Sequence, residues 1–123
     1  MDLIRAVRSG DIQSVREYLD SGADPNTRDY YTYRPALMIA SKYSRTEIVE
    51  LLLDRGADIN SQNDSGDTAL IIKSTHGKVD MAEFLLDKGA DPNIQNIKGD
   101  TALMNAARYS ISILTFAAGT DYT

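Results

Sequence analysis

Three segments of this chain read Gly22-Ala23-Asp24-Pro25-Asn26, Gly56-Ala57-Asp58-Ile59-Asn60 and Gly89-Ala90-Asp91-Pro92-Asn93. Their glycines are 34 and 33 residues apart, and a short apolar run such as Leu51-Leu52-Leu53 precedes each of them. Self-similarity at a fixed period of this length is the signature of a repeat solenoid. Such a repeat leaves part of its apolar face open, so the neighbouring repeats must cover it.

The repeated unit is clearest in its third copy. A turn over Asn63–Asp67 is followed by Thr68-Ala69-Leu70, which predicts the start of a short inner helix. Gly77 separates this helix from an outer helix predicted over residues 79–88. The opening of the inner helix recurs, with variation, as Pro35-Ala36-Leu37 and Thr101-Ala102-Leu103.

This arrangement resembles the ankyrin repeat, in which a turn is followed by two antiparallel helices and a GAD-x-N segment at the base of the next finger. The resemblance covers the whole chain, and four units fit it, at about residues 1–29, 30–62, 63–95 and 96–123. It implies an all-α solenoid of stacked helix-turn-helix pairs with short β-turn fingers, forming a single ankyrin-repeat domain over residues 1–123. It also implies a non-catalytic module that binds a partner protein on its concave face.

Two features depart from the family pattern. The family usually has a histidine after the helix opening, where this chain has Met38, Ile71 and Met104. The His-centred hydrogen bonds that link neighbouring fingers are therefore expected to be missing. Finger one (residues 29–34) lacks its glycine and has one extra residue, which accounts for the 34-residue spacing and leaves the shape of this turn open.

The outer helices have recognisable ends. Ser44 and Glu47 have the spacing of a capping box, which predicts Ser44 as the capping residue of the second outer helix. A glycine closes each outer helix, because glycine adopts the left-handed conformation without steric cost. These closing residues are Gly22, Gly56 and Gly89.

Amphipathic spacing predicts which helix faces are buried. In the outer helix over residues 46–54 the acidic side chains face outward. The predicted inward positions are Ile48, Val49, Leu51 and Leu52, with Leu53 left open. The inner helices carry small side chains that let neighbouring units approach closely, at Ala6, Ala40, Ala106 and Ala107.

Composition narrows the possible functions. The 123-residue chain has a net charge of -5, which argues against nucleic-acid binding because that binding rests on phosphate neutralisation by Lys and Arg. The absence of cysteine excludes disulfides and thiolate chemistry. No apolar run has the length of a signal sequence or a membrane span, so we expect neither a signal peptide nor membrane binding. The predicted location is cytoplasmic, in the cell of origin or inside a host cell.

No group of side chains in the sequence points to catalysis. His76 is the single histidine; it is either a general base or metal ligand, or an exposed residue of the recognition face, which we favour. A zinc site would need further His or Cys ligands. We interpret the repeated Asp24, Asp58 and Asp91 as turn-stabilising residues, since Asp bonds its own downstream backbone. We therefore expect no enzyme activity, no cofactor and no metal.

The tyrosines are the most informative surface residues. The chain has seven of them and no tryptophan, and Tyr30, Tyr31 and Tyr33 crowd finger one. Either they anchor a partner, since tyrosine gives a large contact area at low entropic cost, or they pack on one another in place of the missing glycine turn. Tyr43 and Tyr109 each precede a turn between helices.

The resemblance implies a recognition surface made of finger tips and the ends of inner helices. Arg8, Arg34, Lys42 and Arg108 form a basic stripe there, which favours a partner with carboxylates and some apolar groups. Asp64 and Asp67 interrupt the stripe. The predicted partner-binding residues are Arg8, Tyr31, Tyr33, Arg34, Lys42, Tyr43, Asp64, Asp67, Thr75, His76, Lys98, Arg108 and Tyr109.

The sequence does not identify the partner. A stoichiometric regulator or inhibitor of an enzyme, and a fragment of a longer ankyrin array, are alternatives to a general interaction module. Asn26, Asn60 and Asn93 match the residue that ankyrin-directed hydroxylases modify in animal cells, although a hydrogen bond at the finger base is the reading we favour.

The last unit is shorter than the others and fits in two registers. Aligned without a gap, it loses apolar residues on its core side. Aligned with a three-residue deletion it keeps them, and we prefer that register. Ile113 replaces an acidic residue in both, so we expect an exposed apolar end and a weak homodimer through this C-terminal unit.

Overall fold

The structure, a computed structural model, describes residues 2–75 and 79–109. In this part of the chain it contains seven α-helices and no strand beyond an isolated bridge between Arg28 and Pro35. The all-α architecture predicted from the sequence is confirmed. The helices are α1 (Leu3–Ser9), α2 (Ile12–Asp20), α3 (Ala36–Lys42), α4 (Thr46–Asp54), α5 (Ala69–Thr75), α6 (Val79–Asp87) and α7 (Ala102–Tyr109).

A short polar side chain begins three of the four inner helices that the structure describes. Asp2 precedes α1, Thr68 precedes α5 and Thr101 precedes α7. In each case a side-chain oxygen accepts a hydrogen bond from the backbone N–H three residues on, at 2.9, 3.1 and 3.2 Å respectively. Helix α3 starts after Pro35 without a side-chain cap, which is tolerated because the missing N–H of proline would be unbonded there.

The predicted capping box at Ser44 is wrong. Ser44 lies in the left-handed region with φ 55°, and Arg45 precedes α4 without a side-chain cap. The reason is that Ser44 closes the preceding helix, where its N–H donates to the Ser41 carbonyl at 3.0 Å. Gly10 occupies the same place in unit one with φ 80°. The glycines expected to end the outer helices do follow them, with φ between 97° and 100°.

The helices pack in two rows. Each inner helix contacts the next, in the order α1, α3, α5 and α7, while α2, α4 and α6 lie against the inner helices of their own units. The predicted nearest-neighbour packing is confirmed. The predicted inward positions of α4 are buried, as are Ala6, Ala40 and Ala106. Ala107 is exposed, contrary to expectation, because it lies about 100° further round the helix than Ala106.

The finger bases of neighbouring units are joined by asparagine side chains. Asn26 Oδ1 accepts a hydrogen bond from the Asp58 N–H at 2.8 Å, and Asn60 Oδ1 accepts one from the Asp91 N–H at 2.9 Å. The finger-base hydrogen bond is therefore confirmed for these two asparagines. The repeated aspartates stabilise their own turns, each accepting from the N–H two residues on. Hydroxylation of the asparagines stays a prediction.

A second row of bonds joins the fingers themselves, at a place in the unit that the sequence did not single out. Gln62 Nε2 donates to the Gly66 carbonyl in finger two, the turn over residues 63–67 (2.7 Å). It also donates to the Gln95 carbonyl, at the equivalent place before finger three, the turn over residues 96–100 (3.1 Å). Arg28 makes the equivalent pair of bonds, to the Tyr33 carbonyl at 3.0 Å and the Gln62 carbonyl at 2.9 Å. The signal was present, since Arg28, Gln62 and Gln95 share one place in successive units.

The carboxyl ends of two inner helices are capped by cations of the following unit. Arg45 Nη2 donates to the Arg8 carbonyl and Lys73 Nζ donates to the Lys42 carbonyl, both at 3.0 Å. A positive charge is favourable at this end of a helix dipole. Lys73 is buried, although other units have alanine at its place. The capping bond accounts for this exception.

Leu52→Ala tests the outer-helix core. Leu52 is fully buried, so the substitution removes buried apolar contacts and is expected to cost about 2–5 kcal/mol of unfolding free energy. Urea unfolding followed by circular dichroism measures the loss. Glu50→Ala on the exposed side of α4 serves as the control, with an expected change within about 0.5 kcal/mol. A loss below about 1 kcal/mol for Leu52→Ala would contradict its place in the core.

Gly66→Ala and Gly99→Ala form a matched pair in successive fingers. Both glycines have positive φ, 77° and 82°, so alanine costs each about 1–2 kcal/mol. A Cβ on Gly66 would lie 2.9 Å from the Ile97 backbone nitrogen, whereas one on Gly99 meets nothing within 4 Å. We expect Gly66→Ala to lose a further ~1–3 kcal/mol through this overlap. Equal losses in urea unfolding would show that the fingers do not pack this closely.

Candidate functional site

A cleft of about 180 Å³ opens between α3 and α5 beside finger one. Its apolar lining consists of Met38 and Ile39 from α3, which are buried, and Ile72 from α5, which is half-buried. Arg34 lines the cleft just before α3 begins, and Lys42 lines it at the last residue of that helix. We call this the α3–α5 cleft. It combines an apolar lining with a cation at each end.

The two cations of the cleft keep their charge uncompensated within the described part of the chain. The ion pairs found there are Arg8–Asp29 and Arg55–Asp20, so no carboxylate lies within 4.0 Å of Arg34 or Lys42. Lys42 instead has its Nζ 5.5 Å from the ring centroid of Tyr43, within the range of a cation–π contact. The cleft therefore has a positive rim although the whole chain is acidic.

Finger one closes around Asp29 and places a tyrosine in a glycine position. Asp29 Oδ1 accepts hydrogen bonds from the N–H groups of Tyr31 and Thr32, at 2.7 and 3.1 Å. The Tyr33 N–H donates to the Asp29 carbonyl at 2.8 Å, as Gly66 and Gly99 do to the asparagines of their own fingers. Tyr33 has φ 56°, which is rare for a bulky residue. The shape of this turn, which the sequence left open, is therefore that of the other fingers, with Tyr33 in the place of the glycine.

Arg8 anchors this finger. Its guanidinium donates to the buried carboxylate of Asp29, the first residue of finger one. The pKa of Asp29 is held below its ordinary value first by the Thr32 N–H, then by the Arg8 side chain and the Tyr31 N–H. Arg8 was predicted as a recognition residue; the structure gives it a positioning role, with its charge already matched by a carboxylate.

The tyrosines of finger one are largely solvent-exposed. Tyr30 and Tyr31 are 90% and 91% exposed, and their rings meet edge-on with centroids 5.2 Å apart. Packing on one another therefore does not bury them, which weakens the self-packing alternative. Arg28 lies over the Tyr33 ring, with its Cζ 4.6 Å from the centroid. Tyr43 is exposed at the end of α3.

Fingers two and three carry the remaining predicted residues that the structure describes. Asp64 and Lys98 are exposed at the finger tips. Asp67 is half-buried and accepts a hydrogen bond from Asn96 Nδ2 at 2.9 Å, so it links the two fingers. A second cavity of about 270 Å³ lies here, with both acidic and basic residues in its lining, among them Asp67, Lys98 and Asp100.

Several predictions fall outside the described residues. His76 is one of them, as are residues 110–123, so both registers of the last unit, the exposure of Ile113 and the homodimer stay predictions. Thr75, Arg108 and Tyr109 belong to the described backbone of α5 and α7, whereas their side chains lie outside the description. The cytoplasmic location also stays a prediction.

Within residues 2–75 and 79–109, no group of three or more His, Cys, Asp or Glu side chains is arranged to hold a metal ion. Over the same residues, no helix has the length and apolar character needed to cross a membrane.

Comparison with known proteins decides the family. The profile described as Ankyrin repeats (3 copies) matches residues 3–96. The chain belongs to the ankyrin repeat family. The ankyrin fingers here are linked by Asn, Gln and Arg side chains, as described above.

Individual relatives match about half of this ankyrin chain. Serine/threonine-protein kinase 12 of Arabidopsis thaliana is 39% identical over 66 residues, which are 54% of this chain and 14% of the kinase. Ankyrin repeat, SAM and basic leucine zipper domain-containing protein 1 of Atelerix albiventris is 42% identical over 60 residues, 49% of this chain and 12% of that protein. Ankyrin repeat-containing protein P1E11.10 of Schizosaccharomyces pombe is 35% identical over 63 residues, which are 51% of this chain and 30% of that protein. The chain thus spans less than a third of these relatives.

Asp29→Asn tests the anchor of finger one. The pKa of Asp29 is lowered in the folded chain, so the ionised carboxylate stabilises the fold above its ordinary pKa of 3.8 and this stabilisation is lost as the pH falls through the lower folded value. Asparagine, which the other two described fingers have here, keeps the Oδ1 acceptor and removes the charge. We expect a lower free energy of unfolding at neutral pH and a flatter fall in acid.

Urea unfolding at neutral pH and at steps below pH 3.8 measures both changes. Asp54→Asn, at an exposed carboxylate on α4, is the control for removing one negative charge. A pH profile of Asp29→Asn that superimposes on the wild-type profile would contradict the assigned ion pair.

Proposed function

We propose that this ankyrin chain is a non-catalytic module that binds a partner protein at the α3–α5 cleft, on the side of the inner helices. The family supports the class of function, since ankyrin repeats are generally protein–protein interaction modules. The observation that carries the choice of surface is the cleft itself, because it combines three apolar side chains with an exposed Lys42, a half-buried Arg34 and neighbouring exposed tyrosines. Aromatic and arginine side chains around an apolar pocket are typical of interface hot spots.

The size of the cleft favours a protein partner over a small molecule. Pockets for drug-sized ligands measure roughly 300–1,000 Å³, whereas this cleft has about 180 Å³. Such a volume suits one apolar side chain of a partner, with the surrounding surface contacting the rest. The larger cavity at fingers two and three has a lining of both charge signs with one aliphatic side chain, Ile97, whereas three apolar side chains line the α3–α5 cleft.

The flanking residues supply the remaining contact area. Tyr33 and Tyr43 are exposed next to the cleft cations in the sequence, and Arg8 holds finger one in place through Asp29. Exposed tyrosine rings next to cations contribute both apolar contact and hydrogen bonding. The partner surface therefore centres on unit two.

Ile72→Gln tests the proposal. The side chain is half-buried in the cleft lining, and glutamine removes its apolar contact while suiting a helix at least as well. If Ile72 is a hot spot, binding weakens by at least about 2 kcal/mol, or roughly thirtyfold. The measurement is affinity capture from an extract of the source organism, followed by titration of the captured protein.

Glu50→Gln, on the exposed side of outer helix α4, is the matched control and is expected to capture the partner as the wild type does. Thermal unfolding confirms that each variant is folded. Capture that is equal for the wild type and Ile72→Gln would refute the cleft as the binding surface.

A further inference from the structure

The α3–α5 cleft has a defined spacing of charges. Arg34 lies two residues before α3 and Lys42 is its last residue, so the two cations are separated by the length of the helix. Seven residues at 1.5 Å each make this helix about 10 Å long. The apolar residues Met38, Ile39 and Ile72 line the cleft that these two cations flank.

The rim cations are available to a partner. Two other basic residues of the same half of the chain are paired with carboxylates, Arg8 with Asp29 and Arg55 with Asp20 at 2.7 Å. Arg45 Nη2 donates to the Arg8 carbonyl. No ion pair engages Arg34 or Lys42 within residues 2–75 and 79–109. In a chain of net charge -5, this local excess of positive charge selects a ligand with carboxylates.

Two unfavourable backbone conformations lie close in sequence to the two cations of the cleft. Tyr33 and Ser44 are the non-glycine residues with positive φ in the described part of the chain, at 56° and 55°. Tyr33 directly precedes Arg34, and Ser44 follows Tyr43 and Lys42. Non-glycine residues in such conformations cluster at binding sites, where the surrounding structure holds them. Both positions carry glycine in a neighbouring unit, so glycine was compatible with the fold.

We infer that the α3–α5 cleft binds an extended segment of the partner protein with the pattern Glu-x-Leu-x-Glu, a conclusion that rests on the proposed function. In an extended chain, residues i, i+2 and i+4 point to one face, so the leucine and both carboxylates face the cleft together. Their outer Cα atoms are about 13 Å apart at 3.3 Å per residue, a separation that flexible Arg and Lys side chains match across a helix of about 10 Å. The leucine occupies the apolar cleft and each carboxylate pairs with one cation.

Three synthetic peptides with blocked ends test the pattern by isothermal titration at about 50 mM NaCl, where screening is moderate. They contain Glu-Ser-Leu-Ser-Glu, Lys-Ser-Leu-Ser-Lys and Glu-Ser-Ser-Ser-Glu. We expect the first to bind the wild type at least roughly tenfold more tightly than either of the others. Equal binding of the Glu and Lys peptides would overturn the inference. N-acetyl-leucine binding as tightly as the first peptide would also overturn it, in favour of a small carboxylic acid.

Charge reversal in the protein provides the complementary test. The double variant Arg34→Glu with Lys42→Glu is expected to reverse the preference, so that the Lys peptide binds roughly tenfold more tightly than the Glu peptide. Arg16→Glu with Lys88→Glu makes the same change of net charge at exposed positions outside the cleft and is expected to keep the wild-type preference. A reversal in the control variant, or none in the cleft variant, would contradict the assignment.

Partner capture by the two cleft variants distinguishes a failure of this inference from a failure of the proposed function. If capture is lost by Ile72→Gln and retained by Arg34→Glu with Lys42→Glu, the proposed function holds and the Glu-x-Leu-x-Glu inference fails. If capture is retained by both variants, the cleft is not the binding surface and both fail. Loss of capture in both variants, together with the expected peptide preferences, supports both.

Discussion

The Asp58 N–H donates a hydrogen bond to the Asn26 side chain of the preceding unit. The rest of the structure depends on bonds of this kind, in which polar groups of one unit have their partners on the next. The same bond recurs between Asp91 and Asn60. The cations that cap inner helices and the packing of one inner helix on the next also join neighbouring units. A unit taken alone would leave these groups without their partners. Each such bond contributes roughly 0.5–1.5 kcal/mol, and because the bonds recur at one place in successive units, together they favour a single register between units. The stable structure is therefore the stack of units and not the individual helix pair.

A scaffold held together between units tolerates variation within one unit. Unit two has an extra residue in its finger, a tyrosine in a glycine position and a serine in another, yet its base bonds to units one and three remain. The finger is instead held by Asp29, which bonds its own turn and pairs with Arg8 of unit one. Departures from local rules that the rest of the structure supports are the expected mark of a functional surface. In this chain Tyr33 and Ser44 each lie within two residues of a cation of the α3–α5 cleft.

The cleft also shows how an acidic chain presents a basic surface. Several carboxylates elsewhere are used within the fold, as caps of helices, as turn residues or in ion pairs. Arg34 and Lys42 lack such partners in the described part of the chain, so their charge is directed to solvent next to apolar side chains. Net charge therefore describes how the whole molecule behaves in solution, whereas binding depends on which charges remain uncompensated at one place.

The sequence by itself determined the family, the period, the all-α class, the glycines that end the outer helices and most of the buried positions, because these follow from patterns that recur along the chain. It also pointed to tyrosines and cations of unit two. Tertiary structure alone decided that Ser44 closes α3, that Arg8 pairs with Asp29, and that Ile72 meets Met38 and Ile39 at one cleft. The physical reason is that each of these depends on a neighbouring element, and a local pattern does not record which partner a side chain meets across a repeat interface.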